Sequence, residues 1–263
     1  MTQADKVISR KDGNVGYLIF NNPERRNAMS LEMWEACSRL MAVFAKDPEV
    51  RVVVQAGAGD KAFIAGADIS KFGEERASDA GVKKYNEAVE AAYVSVHDFP
   101  KPTIAMIRGF CVGGGMGLAS CCDLRICSED AKFAVPAAKL GLGYGYSGVR
   151  RLMDVVGPSF TKEIFYTARL FDASEARMMG LANRVVGNDE LEAYVRDYAA
   201  TIAANAPLTV DSIKFIVSEA LKDESKRDLK RCDALVQQCF KSADYEEGRK
   251  AFMEKRKPVF KGR

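Results

Sequence analysis

Residues 6–20 alternate between apolar and polar side chains, which predicts two short strands joined at Asp12-Gly13, with Val15, Tyr17 and Ile19 on one face. Asn21-Asn22-Pro23 ends the second strand. Ser30 is a predicted N-cap, and Leu31, Trp34, Leu40 and Met41 to Phe44 then give a helix with one apolar side. Val50 to Gln55 is a nearly continuous β-branched run, the mark of a strand covered on both faces. The polar residues 72–80 read as a surface loop, after which Val82, Tyr85, Val89, Ala92 and Val96 recur at helical spacing.

Two small-residue bends interrupt this pattern. In the stretch from Lys101 to Cys127, KPTIAMIRGFCVGGGMGLASCCDLRIC, a buried strand is predicted over Thr103 to Ile107, with a turn at Arg108-Gly109. Gly113, Gly114 and Gly115 follow, and Met116, Leu118 and Ala119 open a helix. Such an arrangement either packs a helix tightly on a strand or points free backbone N–H groups at an anion or a polarised oxygen. The other bend, Lys61 to Lys71, which comes first along the chain, carries Ala65, Gly66 and Ala67, with Asp68 as a candidate N-cap. If adjacent strands carry the two bends, two N–H groups can converge on one carbonyl oxygen.

Beyond them, Asp123–Cys127 and Lys132–Val135 read as strands. Gly141, Gly143, Gly145 and Gly148 alternate with Tyr144 and Tyr146 in a loop that either reaches a ligand or is merely flexible. Helices are predicted at Ser159–Thr167, Ala173–Gly180 and Glu190–Asn205, with a short strand at Asn183–Val186. Three more follow Pro207, over Leu208–Leu221, Ser225–Phe240 and Tyr245–Lys257. The β-rich front and helical tail divide the chain into 1–205 and 206–263 with no flexible linker, so the tail is expected to pack on the core or on another subunit.

Composition narrows the chemistry. At 263 residues, 48% hydrophobic, the chain buries a sizeable core, and its net charge of +3 is too small to imply nucleic acid or an anionic membrane surface. No apolar run approaches a membrane span, and MTQADKVISRKDG lacks the apolar centre of a secretory signal. Seven cysteines without a CxxC pair suit a reducing compartment, with cytoplasm as the expectation. The single histidine, His97, cannot build a histidine metal cluster and reads as a solvated helix-end residue, so no metal site is expected. The basic C-terminal run Lys255-Arg256-Lys257 is either a solvated face or an anion contact.

Five segments in order resemble the enoyl-CoA hydratase/isomerase (crotonase) superfamily. They are Asn22-Pro23-Glu24-Arg25-Arg26-Asn27-Ala28-Met29, then Phe63-Ile64-Ala65-Gly66-Ala67-Asp68, then the glycine stretch through CCDLRIC. Asp172-Ala173-Ser174-Glu175-Ala176 with Gly180-Leu181, and Ala251-Phe252-Met253-Glu254-Lys255-Arg256, complete the set. The resemblance implies an α/β fold, a crotonase-like spiral of ββα turns with a C-terminal helical trimerisation region, assembled as trimers or pairs of trimers. It implies a coenzyme A thioester as substrate, no permanently bound cofactor, and an oxyanion hole made by the N–H groups of Ala67 and Gly114. Ala65, Asp68 and Ile69, with Arg25 from the first segment, match positions toward the coenzyme; Phe252 and Lys255 match tail residues that reach it from a neighbouring subunit.

The resemblance also marks a departure. The two glutamates of family hydratases align with Gly117 and Ala137, neither of which titrates, and a further acid site of other members aligns with Gly145. Tyr144 matches a tyrosine that orients the leaving carboxylate in malonyl-type CoA decarboxylases, although those enzymes carry a glutamate where Gly117 stands. Glu74, Glu75 and Glu87 follow the first bend and are candidates for a replacement acid. Three readings result: an acyl-CoA enzyme of the hydratase/isomerase type with non-standard acid–base groups, a malonyl-type CoA decarboxylase using Tyr144, or a non-catalytic CoA-thioester binder.

Overall fold

The computed structural model describes residues 5–263. Of the N-terminal stretch weighed as a signal segment, residues 1–4 lie outside that range. The chain opens with the hairpin β1 (Val7–Asp12) and β2 (Val15–Phe20), closed at Asp12↔Val15 as the Asp-Gly turn predicts. Ser30 accepts a hydrogen bond from Met33 N and starts α1 (Leu31–Lys46), which buries Met33, Trp34, Cys37, Met41 and Phe44. Next come β3 (Val52–Gly57), β4 (Ala62–Ala65), a one-turn α2 (Phe72–Glu75) and α3 (Asp79–His97), N-capped by Ser78. Residues 72–80 are therefore not all loop: four of them form α2, too short for any periodicity to reveal.

Strand and helix then alternate: β5 (Thr103–Ile107), β6 (Phe110–Val112), α4 (Gly114–Cys121), β7 (Leu124–Ser128), β8 (Lys132–Ala134) and α5 (Tyr146–Thr167). Gly157, with φ 77°, breaks α5 ahead of Pro158. The small elements β9 (Phe171–Asp172), α6 (Ala173–Met178) and β10 (Arg184–Val186) lead to α7 (Leu191–Ala204). The tail holds α8 (Pro207–Ala220), α9 (Leu229–Phe240) and α10 (Ala243–Met253). Helix α9 starts later than its apolar pattern suggests because Asp228 caps it, accepting from Arg231 N at 2.9 Å. Helix α10 stops at Met253, short of the predicted Lys257, and Lys255 turns left-handed at φ 55°.

The strands sort into two sheets, β1-β2-β3-β5-β7-β10 and β4-β6-β8-β9. From β3 onward the chain places one strand in the large sheet and the next in the small one, then returns by a helix: β3-β4-α3, β5-β6-α4, β7-β8-α5. Each repeat adds a parallel strand to both sheets, which makes the ββα spiral. Every residue from Val52 to Ala56 in β3 is buried because the sheet is covered twice. Leu191, Val195, Ala199 and Ala203 of α7 cover one face, packing with Val52, Val54 and Ile104. The larger core on the other face gathers α1, α3, α4 and the small sheet.

The tail is fastened to this core by polar contacts. Arg51 donates to the carbonyls of Ala203 (2.9 Å) and Phe260 (2.8 Å), and Lys214 Nζ reaches Asp123 at 2.7 Å. The apolar face expected on α8 points outward in the single chain: Ile213 is 56% exposed, while Ser212 and Glu219 are buried. No helix among the described residues is long and apolar enough to cross a membrane.

Candidate active site

Both small-residue bends leave the same end of the small sheet, after the last residues of β4 and β6. Strands β4 and β6 are parallel neighbours, with Ala65 opposite Val112, so the bends at 66–68 and 113–114 follow paired residues. The strand that delivers the triple glycine is thus β6, a three-residue element not foreseen in the sequence, rather than Thr103–Ile107. Gly109, at φ 58°, turns the chain from the large sheet into the small one between them.

At the first bend, Met29 bridges Ala67 in parallel fashion: Met29 N donates to Gly66 O and Asp68 N donates to Met29 O, both at 2.9 Å. That pattern uses the flanking peptides and directs the N–H of Ala67 to the opposite side. At the second bend, Gly113 adopts φ 56°, ψ −113°, a conformation open only to glycine, and Gly113 N donates to Ala134 O at 2.9 Å. Gly114 is the first residue of α4, so its N–H has no partner within the helix. A Cβ placed on Gly113 would stand 3.7 Å from Gly66 Cα, a measure of how closely the two bends approach.

The third glycine serves packing rather than ligand access. A Cβ on Gly115 would overlap the carbonyl oxygen of Ile64 and lie 2.8 Å from its side chain, so glycine here lets α4 rest directly on β4. Tyrosines of α3 brace both bends. Tyr85 Oη accepts from Trp34 Nε1 (3.0 Å) and donates to Met29 O (3.3 Å), the residue that holds Ala67. Tyr93 Oη donates to Gly114 O at 3.1 Å. Trp34 lies between them, edge-on to Tyr93 at 5.6 Å. Neither stood out as functional in the sequence: Trp34 reads as an apolar-face residue of its helix, and Tyr93 falls outside the apolar spacing of Val82, Tyr85, Val89, Ala92 and Val96.

Arg25, Asp68 and Ser70 form one cluster beside the first bend. Arg25 Nη1 lies 3.3 Å from the Asp68 carboxylate, which also accepts from Ser70 N (3.2 Å) and Ser70 Oγ (2.6 Å). Asp68 therefore caps the turn over Ile69–Lys71, as expected, and is buried at 4% exposure, while Ile69 is 69% exposed. Ala65 ends β4 next to this cluster, its N–H donating to Arg26 O at 3.0 Å.

Tyr144, in the loop before α5, lies near Tyr93 and Cys121. Its ring packs on Phe165 at 4.8 Å, and burial, followed by the nearby Cys121, pushes its phenol up to about 12. The Tyr93 phenol is held well above its ordinary value, by burial first and then by Tyr144 and Cys121. Both remain neutral hydrogen-bond donors at pH 7. Glu90 joins Arg151 through paired contacts of 3.1 and 2.6 Å and accepts from Ser147 Oγ at 3.4 Å, which ties the Tyr144 loop to α3. The Arg151 guanidinium holds Glu90 below the usual carboxylate range.

Gly117 lies on α4 and Ala137 in the turn Pro136–Leu140. Glu75 lies beside the first bend, but its Oε1 accepts from Leu31 N at 3.1 Å and so caps α1. Phe252 and Lys255 stand apart from this cluster, at the end of α10; Phe252 lines a groove of about 1160 Å³ with Ile213, Ile216 and Phe240. His97 is an exposed helix-end residue, and no cluster of three or more potential metal ligands occurs among the described residues.

A two-sheet ββα spiral with two small-residue bends at the ends of paired strands defines the class of fold. The enoyl-CoA hydratase/isomerase family model matches residues 10–263, and the chain belongs to that family of acyl-CoA enzymes. It is 33% identical over 256 residues to a crotonyl-CoA hydratase of Syntrophomonas wolfei, covering 97% of this chain and 98% of that one. A carnitinyl-CoA dehydratase of Proteus mirabilis is 36% identical over 267 residues, with both chains covered fully. Among solved structures, an enoyl-CoA hydratase/carnithine racemase from Magnetospirillum magneticum superposes with a TM-score of 0.92 at 35% identity, covering 99% of this chain and 97% of the other. The α/β crotonase fold is thereby established.

Proposed function

We propose that the chain acts on CoA thioesters by holding the thioester oxygen between the N–H groups of Ala67 and Gly114 while the adjacent carbon gains carbanion character. The observation that carries this is the parallel pairing of β4 and β6, which sets the two bends side by side with both donors free of partners within their own elements. Fixed donors stabilise the developing charge without reorganising, at about 3–4 kcal/mol each. The resemblance to a crotonyl-CoA hydratase and a carnitinyl-CoA dehydratase favours short enoyl or hydroxyacyl thioesters as substrates.

In this reading Gly117 and Ala137 stand where family hydratases carry glutamates, so proton transfer uses other groups. The Arg25, Asp68 and Ile69 cluster, with Ala65, borders the coenzyme; Phe252 and Lys255 reach it from a second copy of the chain. Assembly through the 206–263 tail, as a trimer or pair of trimers, is supported by the outward apolar residues Ile213, Val217 and Phe252. All seven cysteines are unpaired, in keeping with a cytoplasmic protein. CoA enters as substrate, and no resident cofactor or metal is invoked.

A second reading rests on Tyr144. A neutral phenol is suited to orient a substrate carboxylate, and loss of carbon dioxide leaves its bonding electron pair on the α-carbon as the enolate, which solvent then protonates. This needs the two donors and no strong base. Purified protein incubated with crotonyl-CoA and with methylmalonyl-CoA separates the readings: loss of enoyl absorbance supports hydration, and release of carbon dioxide supports decarboxylation. Tight binding without turnover of either marks a non-catalytic thioester binder, and absence of binding refutes the site.

A further inference from the structure

The space beside Gly117 is already filled. A Cβ on Gly117 would stand 2.5 Å from Tyr93 Oη and 2.7 Å from Cζ of the same ring, closer than packed carbon and oxygen atoms approach. Tyr93 comes from α3, is 7% exposed, and is fixed by Trp34 at its edge and by the hydrogen bond to Gly114 O. The same phenol therefore occupies the place of a residue-117 side chain and supports the first residue of α4. Gly117 and Tyr93 are a matched pair, since enlarging one requires displacing the other.

We propose that Tyr93 is the positioning and specificity-determining residue of this site: its hydroxyl takes the volume a side chain on residue 117 would fill and fixes the peptide that follows the Gly114 donor. The inference rests on the oxyanion reading above for its functional half and on packing alone for its steric half. It follows that the space beside residue 117 of α4 is held by a tyrosine hydroxyl supplied from α3. Chemistry that needs a carboxylate at position 117 is excluded for steric reasons as well as for lack of an acid.

The functional half is read with hexadienoyl-CoA, whose conjugated absorption moves to longer wavelength when its thioester oxygen accepts hydrogen bonds. Wild-type protein is expected to bind it with a red shift. Tyr93→Phe keeps the ring and Trp34 contact and loses only the hydroxyl, so affinity stays within about threefold while the shift falls by at least about half. An undiminished shift in Tyr93→Phe overturns the positioning role. Binding by the wild type with no shift instead refutes the oxyanion reading itself, and the steric half is then decided separately.

That half is a double-mutant cycle in thermal denaturation. Gly117→Ala is expected to lower Tm by about 3–10 °C beside Tyr93, and to leave it unchanged or higher in a Tyr93→Ala background, where alanine's better helix propensity shows. An equal drop in both backgrounds overturns the shared-volume claim. Should Tyr93→Ala fail to fold, Gly117→Ala alone decides: a Tm matching wild type overturns it.

Discussion

Replacing Gly114 by proline removes one of the two proposed oxyanion donors. Gly114 is the first residue of α4, the position where proline is tolerated because its missing N–H has no partner within the helix. Gly113 before it, at φ 56° and ψ −113°, lies outside the right-handed helical region that a following proline disfavours. The added Cβ would meet Trp34 Cζ2 at 3.1 Å, tight enough to shift the indole slightly. Gly114→Ala carries the same Cβ and keeps the N–H, so the pair of variants isolates the donor. Losing one such donor costs about 10²–10³ in kcat, or about 3–4 kcal/mol. The expectation is therefore that Gly114→Pro falls about 100-fold or more below Gly114→Ala in kcat, with KM for the thioester changed little, because the donor acts on charge present mainly in the transition state. Steady-state kinetics on whichever of crotonyl-CoA or methylmalonyl-CoA the wild type consumes gives the ratio. Matching kcat values for the two variants, with both folded by circular dichroism, refutes the assignment of Gly114 N–H to the thioester oxygen.

Gly115→Ala should destabilise the protein by about 3 kcal/mol, as overpacking against the Ile64 backbone, visible as a fall in Tm. Arg125→Met should be comparably costly: the buried guanidinium donates to the carbonyls of Leu181 (2.6 Å), Cys122 (2.5 Å) and Ala119 (3.3 Å), and methionine orphans them. Asp211 is raised from 3.8 to about 6 by burial, against the opposing effect of Lys101 and Lys214. A carboxyl raised in the folded state binds its proton more tightly there, so this group's contribution to stability falls as pH rises from about 4 to about 6. Asp211→Asn should thus gain in Tm over wild type at pH 8 and lose that gain near pH 4; a constant difference across pH would contradict the assignment. Ile213→Asp should shift the sedimentation of the protein from an oligomer to a monomer if the outward face of α8 joins copies.

Much of the fold was legible because its signals are local. The Asp12-Gly13 hairpin, the Ser30 cap and the β-branched run of β3 each carry their own periodicity or turn chemistry, and each appears as expected. Strand β6 was missed because three residues between Gly109 and Gly113 leave no period to detect, and α2 for the same reason. The two bends were visible as small-residue turns, but their pairing depends on β4 and β6 lying side by side in a second sheet, a long-range fact with no local trace. Tyr93 was invisible for a different reason. It lies outside the spacing of Val82, Tyr85, Val89, Ala92 and Val96, and only its meeting with Gly117, on another helix, gives it a role.

That distribution has a chemical consequence. The proposed donors are main-chain groups, set by strand pairing and by a helix start, so no side chain has to survive for them to exist. In the proposed reading, the residues that choose a reaction lie elsewhere: Gly117 and Ala137, at positions the family resemblance assigns to acids, Tyr144 on a loop tied down by Glu90 and Arg151, and Tyr93 on α3. Exchanging any of these alters proton handling or pocket shape while β4, β6 and α4 stay in register. On the proposed reading, a site without acids at 117 and 137 can therefore keep its capacity to stabilise an enolate, and its reaction follows from how the bound thioester generates that enolate.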